Sequence, residues 1–224
     1  MTLAKIEFAV QMTCEKCVNK IRESLSGVKG SGNKGAAVAM LGDASGCGFG
    51  IVKGIVRFIQ TDDDTCVVDG TLDGLSPGLH GLHIHECGDI SNGCESVGEH
   101  YNPRNTRHGS PDNDETGRHA GDLGNVEAGT DGRATFRLTD KLVKVHDVIG
   151  RSLVVTDQAD DLGKGDHPRS PVDGNSGLRL ACGIIARSAG MFENSKRICA
   201  CDGVTLWDER DRPLAGPGRR KSNM

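Results

Sequence analysis

The sequence predicts an all-β domain, closed or sandwiched, framed by two short terminal segments of different character. Three observations carry this. Short runs alternating apolar with polar residues follow one another through the middle of the chain. Turn residues such as Ser76-Pro77-Gly78 and Thr130-Asp131-Gly132 punctuate them. Helix-period stretches are nearly absent in between. Short strands separated by turns bury their apolar faces as sandwiches or barrels.

The elements follow in order. GAAVAML (35–41) and IVKGIVRFIQ (51–60) are rich in β-branched and small apolar residues and are separated by a Gly-rich turn. TCVVDGTLDGL (65–75) and LHGLHIHEC (79–87) come next. GDLGNVEAG (121–129), RATFRLT (133–139), DVIGRSLVV (147–155) and LACGIIARS (180–188) complete eight runs. Two connections, 88–120 and 156–179, are too long for hairpins and rich in Gly, Asp, Asn and Pro. Loops of that length inside a compact domain are usually functional.

The organisation that follows is a head at 1–30, a β domain at 31–190 and a tail at 191–224. The head reads as a strand, AKIEFAV, then CVNKIRESLSGV with Val18, Ile21 and Leu25 at helical spacing. A single strand and helix cannot bury their apolar faces alone. The tail is Pro-, Gly- and Arg-rich and is expected to be flexible.

The 224 residues carry a net charge of −4 with lysines and arginines scattered, so no basic stripe awaits a nucleic-acid backbone. No apolar run has the length of a signal peptide or a membrane span, so the expected location is cytoplasmic, with no stable membrane insertion. Nine cysteines is a high count for a reducing compartment, where thiols more often bind metal or do redox work than staple a fold.

His83 and His85 stand at i and i+2 of one run and emerge on the same face. The long connection adds His100, His108 and His119, with Asp122 three residues after the last. Three imidazoles and one carboxylate on a loop suit a single Zn²⁺. Two cysteine pairs remain. Cys14 and Cys17, in MTCEKC between the strand and helix of the head, form a C-x-x-C that is either half a zinc site or a redox pair. Cys199 and Cys201, in RICACDG, are a fragment of a zinc site, an arm of a disulfide, or soft ligands for a metal in transit.

From about Gly35 to Gly190 the motifs GLHGLHIHECGD, GEHYNP, HAGDLGNV, ADDLGKG and GNSGLRLACGIIARS resemble the Cu/Zn superoxide dismutase family. That resemblance implies an eight-stranded Greek-key barrel, a sandwich-like architecture. It implies copper-type ligands at His83, His85 and His100. The zinc ligands would be His100, His108, His119 and Asp122, with His100 bridging. It further implies a disulfide between Cys94 and Cys182, a carboxylate at Asp160 linking the two metal positions, and Arg179 at the copper mouth. His80 matches a structural histidine. One position departs: where the family has a fourth copper-ligating histidine this chain has Thr156, and a hydroxyl is a poor ligand for copper that cycles between oxidation states. No catalytic residue is therefore assigned, and dismutase activity is expected to be lacking; a divergent dismutase is the alternative.

The M-x-C-x-x-C of the head resembles copper-carrying heavy-metal-associated domains, in shortened form. Head, barrel and Cys-x-Cys tail together resemble the family of copper chaperones that serve superoxide dismutase. This implies Cu(I) at Cys14, Cys17, Cys199 and Cys201, and Zn²⁺ in the barrel. It implies a heterodimer with Cu/Zn superoxide dismutase near Gly88, Gly150, Arg151 and the GIIARS run, and a separate copper donor; a homodimer is a further option. Cys47, Cys66 and Cys87 receive no role, with Cys66 expected to be buried. His146 and His167 are expected to be solvated.

Overall fold

The computed structural model describes residues 35–43 and 51–188. Cys14, Cys17, Cys47, Cys199 and Cys201, and the proposed head and tail, lie outside the described residues.

The described residues form nine strands: β1 (Ala36–Asp43), β2 (Lys53–Gln60), β3 (Cys66–Asp73), β4 (Gly78–His85), β5 (Ser91–Cys94), β6 (Asp122–Ala128), β7 (Arg133–Asp140), β8 (Ser152–Thr156) and β9 (Arg179–Ser188). Eight of them make one antiparallel sheet in the order β6-β4-β8-β9-β1-β2-β3-β7. The outer strands β6 and β7 are joined by a tight turn and lie against each other, so the sheet is a nearly closed barrel. β3 and β4 are consecutive in sequence yet not neighbours, which is the Greek-key crossing. The all-β expectation holds for all eight runs. Two details differ from the sequence reading. β5 is an added short strand inside the long connection. The start of DVIGRSLVV is not strand: Val145–Val148 is a single helical turn, α1, and Gly150 takes φ 85° before β8 begins. Val145 and Val148 fill the barrel end from that turn, so their burial, not strand pairing, sets the local backbone.

Period-two alternation builds the core. Ala37, Ala39 and Leu41 of β1 face Val56 and Phe58 of β2, Val68 and Leu72 of β3, and Leu82 and Ile84 of β4. Leu123 and Val126 of β6, Leu153 and Val155 of β8 and Ile185 of β9 complete it. Each buried Val, Leu, Ile or Phe among them contributes on the order of 1.5–3 kcal/mol by leaving water. Because Leu82 and Ile84 point inward, His83 and His85 point outward, beneath the two long connections. The second of these carries α2 (Ser170–Asp173).

Candidate metal centre

β4 supplies the floor of the site. His83 and His85 are 0% and 2% exposed although they face away from the barrel core, because residues 88–120 and 156–179 close over them. His100 is held against this floor by a backbone bridge to His85 and a ring stacked on His83 at 4.1 Å between centroids.

The zinc-type quartet converges on one carboxylate oxygen. Asp122 Oδ1 lies 2.9 Å from His100 Nδ1, 3.0 Å from His108 Nδ1 and 3.2 Å from His119 Nδ1. Its other oxygen is fixed by the backbone N–H groups of His119 (2.8 Å) and Gly109 (3.2 Å). Despite their closeness to Asp122, the Nδ1 atoms of His108 and His119 are buried without an aligned hydrogen bond. Three imidazole nitrogens and one carboxylate oxygen facing a common point is the donor set and number that Zn²⁺ takes in closed sites, and an ion there would satisfy both orphaned nitrogens. His83, His100, His108 and Asp122 likewise each have a potential ligand atom, all within 4.8 Å of one another, with His100 lying between the other two rings.

The copper-type set shows the same signature. His83 Nε2 donates to Asp160 Oδ2 (2.9 Å) and His85 Nδ1 to the Gly98 carbonyl (2.9 Å). Their remaining nitrogens, His83 Nδ1 and His85 Nε2, are buried with no partner. One nitrogen oriented by a protein oxygen and the other left open is how metal-binding imidazoles are presented.

Asp160 joins the two sets: its second oxygen accepts from His108 Nε2 at 2.7 Å. Asn125 of β6 fixes this carboxylate's backbone, accepting from Asp160 N (2.7 Å) and donating to Asp160 O (2.8 Å). The second long connection then passes directly over it. A Cβ on Gly174 (φ 68°) would stand 1.9 Å from Asp160 Oδ1 and 2.5 Å from His108 Nε2, so only glycine fits.

Electrostatics follow the geometry. Burial, and then the neighbouring His83, push His100 down to about 3; burial likewise holds His85 well below its usual value. For His108 burial is outweighed by the Asp122 and Asp160 carboxylates on either side of the ring, which lift it to about 9. Burial opposes the ionised form of Asp122, but the surrounding histidines overcome it and keep the carboxyl far below the usual range. Without a metal, then, the two flanking carboxylates favour a proton on His108.

Thr156 stands beside this floor. A Cβ placed on Gly81 would be 2.7 Å from Thr156 Oγ1 and 2.8 Å from His83 Cε1, so hydroxyl and ring are close neighbours. The hydroxyl faces the carbonyls of Gln158 (3.2 Å) and Gly81 (3.3 Å). His80 lies between the carbonyls of Thr156 (2.7 Å) and Ser76 (2.9 Å), committed to backbone. Arg179 donates to the carbonyls of Cys94 (2.7 Å) and Gly98 (2.8 Å), tying the loop that orients His85. Cys94 of β5 is bonded to Cys182 of β9, with Cα atoms 5.6 Å apart. Cys66 is buried, which pushes its thiol up to about 12, and Cys87 is exposed. His146 and His167 are exposed.

Two supports had no signal in the sequence: Asn125, and the buried Arg118. Arg118 donates to the Asp122 carbonyl (2.8 Å) and to Asp140 (2.6 Å). On another face, the space a Gly88 Cβ would fill is taken by the Gly150 carbonyl at 2.1 Å, with Ile184 Cγ2 at 3.4 Å. Arg151 stacks on Tyr101 nearby and donates to the Glu86 carbonyl (2.8 Å). Gly88, Gly150, Arg151 and the half-exposed Ile184 thus form one patch.

Residues 52–185 match the copper/zinc superoxide dismutase family. A human protein named copper chaperone for superoxide dismutase is 49% identical, the alignment covering 99% of this chain and 94% of that protein. The mouse protein of the same name is 48% identical with the same coverage. Among solved structures, the clock protein EA4 superposes with a TM-score of 0.63 at 39% identity, over 70% of this chain and 97% of the other. No helix among the described residues is long and apolar enough to cross a membrane.

Proposed function

The chain belongs to the family of copper chaperones for superoxide dismutase, its barrel being a copper/zinc superoxide dismutase domain, and from that premise we propose how it acts. Copper is its cargo, carried as Cu(I) by thiolates rather than turned over by the barrel. Cys199 and Cys201, with Cys14 and Cys17, are soft ligands of low coordination number that surrender the ion by ligand exchange to the histidines of a docked dismutase subunit. The observation that carries this reading is Thr156 beside His83: the barrel keeps the family's shape and zinc quartet while a hydroxyl replaces the imidazole that redox cycling needs.

Zn²⁺ held by His100, His108, His119 and Asp122 would supply a fixed double charge that organises the long loop. The chain's own residues do the rest of the ordering. Asp122 and Asp160 aim the rings, the Cys94–Cys182 bond pins β5 to β9, and Arg179 ties the loop between them. The patch of Gly88, Gly150, Arg151 and Ile184 is the surface for a two-fold heterodimer with the target. The target's disulfide forms by exchange. A target thiolate attacks an oxidised Cys199–Cys201 pair to give a mixed disulfide. The second target thiolate displaces it, and two electrons move from the target to the tail, which leaves reduced. The thiol chemistry fits a cytoplasmic location.

The test is to mix the Cu(I)-loaded chain with reduced, copper-free, zinc-loaded dismutase and follow dismutase activity. Wild type should activate, and Cys199→Ser/Cys201→Ser should fall to background; equal activation by both removes the tail from the mechanism. A second reading, a divergent dismutase, is favoured by the intact His83, His85 and His100 set. Turnover at a rate typical of the family by the copper- and zinc-loaded chain alone would establish that reading instead.

A further inference from the structure

Three strips of backbone meet beside the candidate metal centre. Residues 84–87 and 97–101 run antiparallel. Tyr101 N–H donates to the Ile84 carbonyl (2.7 Å), His85 and His100 form a bridge, Glu86 N–H donates to the Glu99 carbonyl (3.0 Å), and Cys87 N–H to the Val97 carbonyl (2.9 Å). The third strip passes through Gly121, whose N–H donates to the Tyr101 carbonyl (2.9 Å) and whose carbonyl accepts from Ile84 N–H (2.9 Å). Tyr101 therefore follows His100 in the chain and is bonded to the residue before Asp122. Two of the four zinc-type residues set where its ring stands.

Arg151 meets that ring from the other side. Its backbone belongs to the patch: its carbonyl accepts from Ile185 N–H (2.8 Å), next to Ile184, and Gly150 N–H donates to the Ile185 carbonyl (2.8 Å). Its side chain reaches away from the patch. The guanidinium carbon lies 3.8 Å from the Tyr101 ring centroid, Nη1 donates to the Glu86 carbonyl (2.8 Å) and Nε to the Asp147 carbonyl (2.8 Å). The Ser152 hydroxyl donates to the Cys87 carbonyl (2.7 Å). The two carbonyls that precede Gly88 are thus both fixed from the turn that carries Gly150.

We propose that Arg151 is a positioning residue that couples the metal centre to the recognition patch through Tyr101. The inference rests on the zinc and heterodimer readings above. An ion held by His100 and Asp122 steadies the strips on either side of Tyr101, the ring seats the guanidinium, and the guanidinium sets Glu86 and with it Gly88 against Gly150. Without the ion the same contacts open more often. Coupling of this kind is reciprocal, so a docked partner tightens zinc by the factor by which zinc tightens the partner. Lysine cannot replace Arg151, because one ammonium does not lie flat on a ring while donating to two carbonyls.

Amide hydrogen exchange on the full-length chain, zinc-free and zinc-loaded, reads the coupling with no partner present. In the wild type zinc should slow exchange at Gly121, and also at Cys87 and Gly150, by about fivefold or more. Tyr101→Ala, which lies off the patch, should still take up zinc and keep the slowing at Gly121 but lose it at Cys87 and Gly150. Tyr101→Phe retains the ring face and should restore it. Arg151→Met and Arg151→Lys should behave like Tyr101→Ala, and guard against misfolding of that variant. Sedimentation with dismutase should show zinc strengthening the heterodimer in the wild type and Tyr101→Phe but not in Tyr101→Ala; a merely structural loss weakens it equally with and without zinc. Slowing at Cys87 and Gly150 that persists in Tyr101→Ala and Arg151→Met overturns the proposal, assigning the coupling to the backbone strips alone. Slowing at Gly121 with none at Cys87 and Gly150 in the wild type also overturns it and leaves the zinc reading standing. No effect of zinc at any of the three sinks both. Coupled exchange in a chain that forms no heterodimer supports the coupling and sinks the heterodimer reading.

Discussion

Asp122 and Asp160 show how far single residues set the behaviour of the metal centre. With no ion, His108 keeps its proton up to about pH 9. Zinc needs the neutral ring, so binding expels that proton. Below pH 9 zinc affinity should therefore fall about tenfold per pH unit, one bound proton being exchanged per ion. Chelator competition at pH 6, 7 and 8, with proton release followed in weak buffer, measures both quantities. Asp160→Asn keeps the shape but removes the charge that orients His83 and His108 together. It should weaken zinc binding roughly 10- to 100-fold. The histidine–aspartate cluster was legible because imidazoles on a strand and along a polar loop, closed by a carboxylate, leave a pattern in sequence. Its supports were not. Asn125, the Gly98 carbonyl and Arg118 act through backbone geometry that exists only after the loops fold back. Thr156 was readable as a departure, and its closeness to His83 explains why that departure matters.

At the level of elements, the loop carrying the candidate ligands is held at both ends by groups that are not themselves candidate ligands. Arg118 is 2% exposed and joins the Asp122 carbonyl to Asp140, whose other oxygen accepts from the N–H groups of Leu142 (2.7 Å) and Val143 (2.8 Å). Arg118→Met strands a buried carboxylate and should cost about 3–5 kcal/mol in urea unfolding. Replacing both partners, Arg118→Met with Asp140→Leu, should not restore stability, because the two backbone donors then lose their acceptor. The disulfide holds the other end. It closes a loop of 88 residues, so Cys94→Ser/Cys182→Ser should lose roughly 4–5 kcal/mol, read from the same unfolding curves. Eight strands were foreseen from alternation alone. The short β5 was not, since Ser91–Cys94 has no apolar alternation; the Cys94–Cys182 bond and the hydrogen bond from Arg179 to the Cys94 carbonyl tie it to β9. The turn α1 was missed because a single turn, Val145–Val148, is too short to show a helical period and its last two residues open the run DVIGRSLVV.

For the molecule as a whole, the barrel serves as shape. Its patch at Gly88, Gly150, Arg151 and Ile184 is far enough from the core that it tolerates change: Ile184 is 38% exposed and lies outside the main cluster. Ile184→Asp should leave zinc content and unfolding midpoint near wild type. It should also reduce heterodimer formation with dismutase at least tenfold, measured by sedimentation, with activation falling in parallel. The thiol pairs that give the chain its proposed purpose were readable as motifs.

β9 gathers much of this on ten residues. Arg179 ties the loop, Cys182 carries the covalent bond and Ile184 stands on the proposed recognition patch. These three tasks share one ladder, and a slip of a single rung would turn every one of them to the wrong side at once. Reagents that cut the sulfur bridge should consequently be felt two positions along, as altered partner recognition, before the barrel itself gives way.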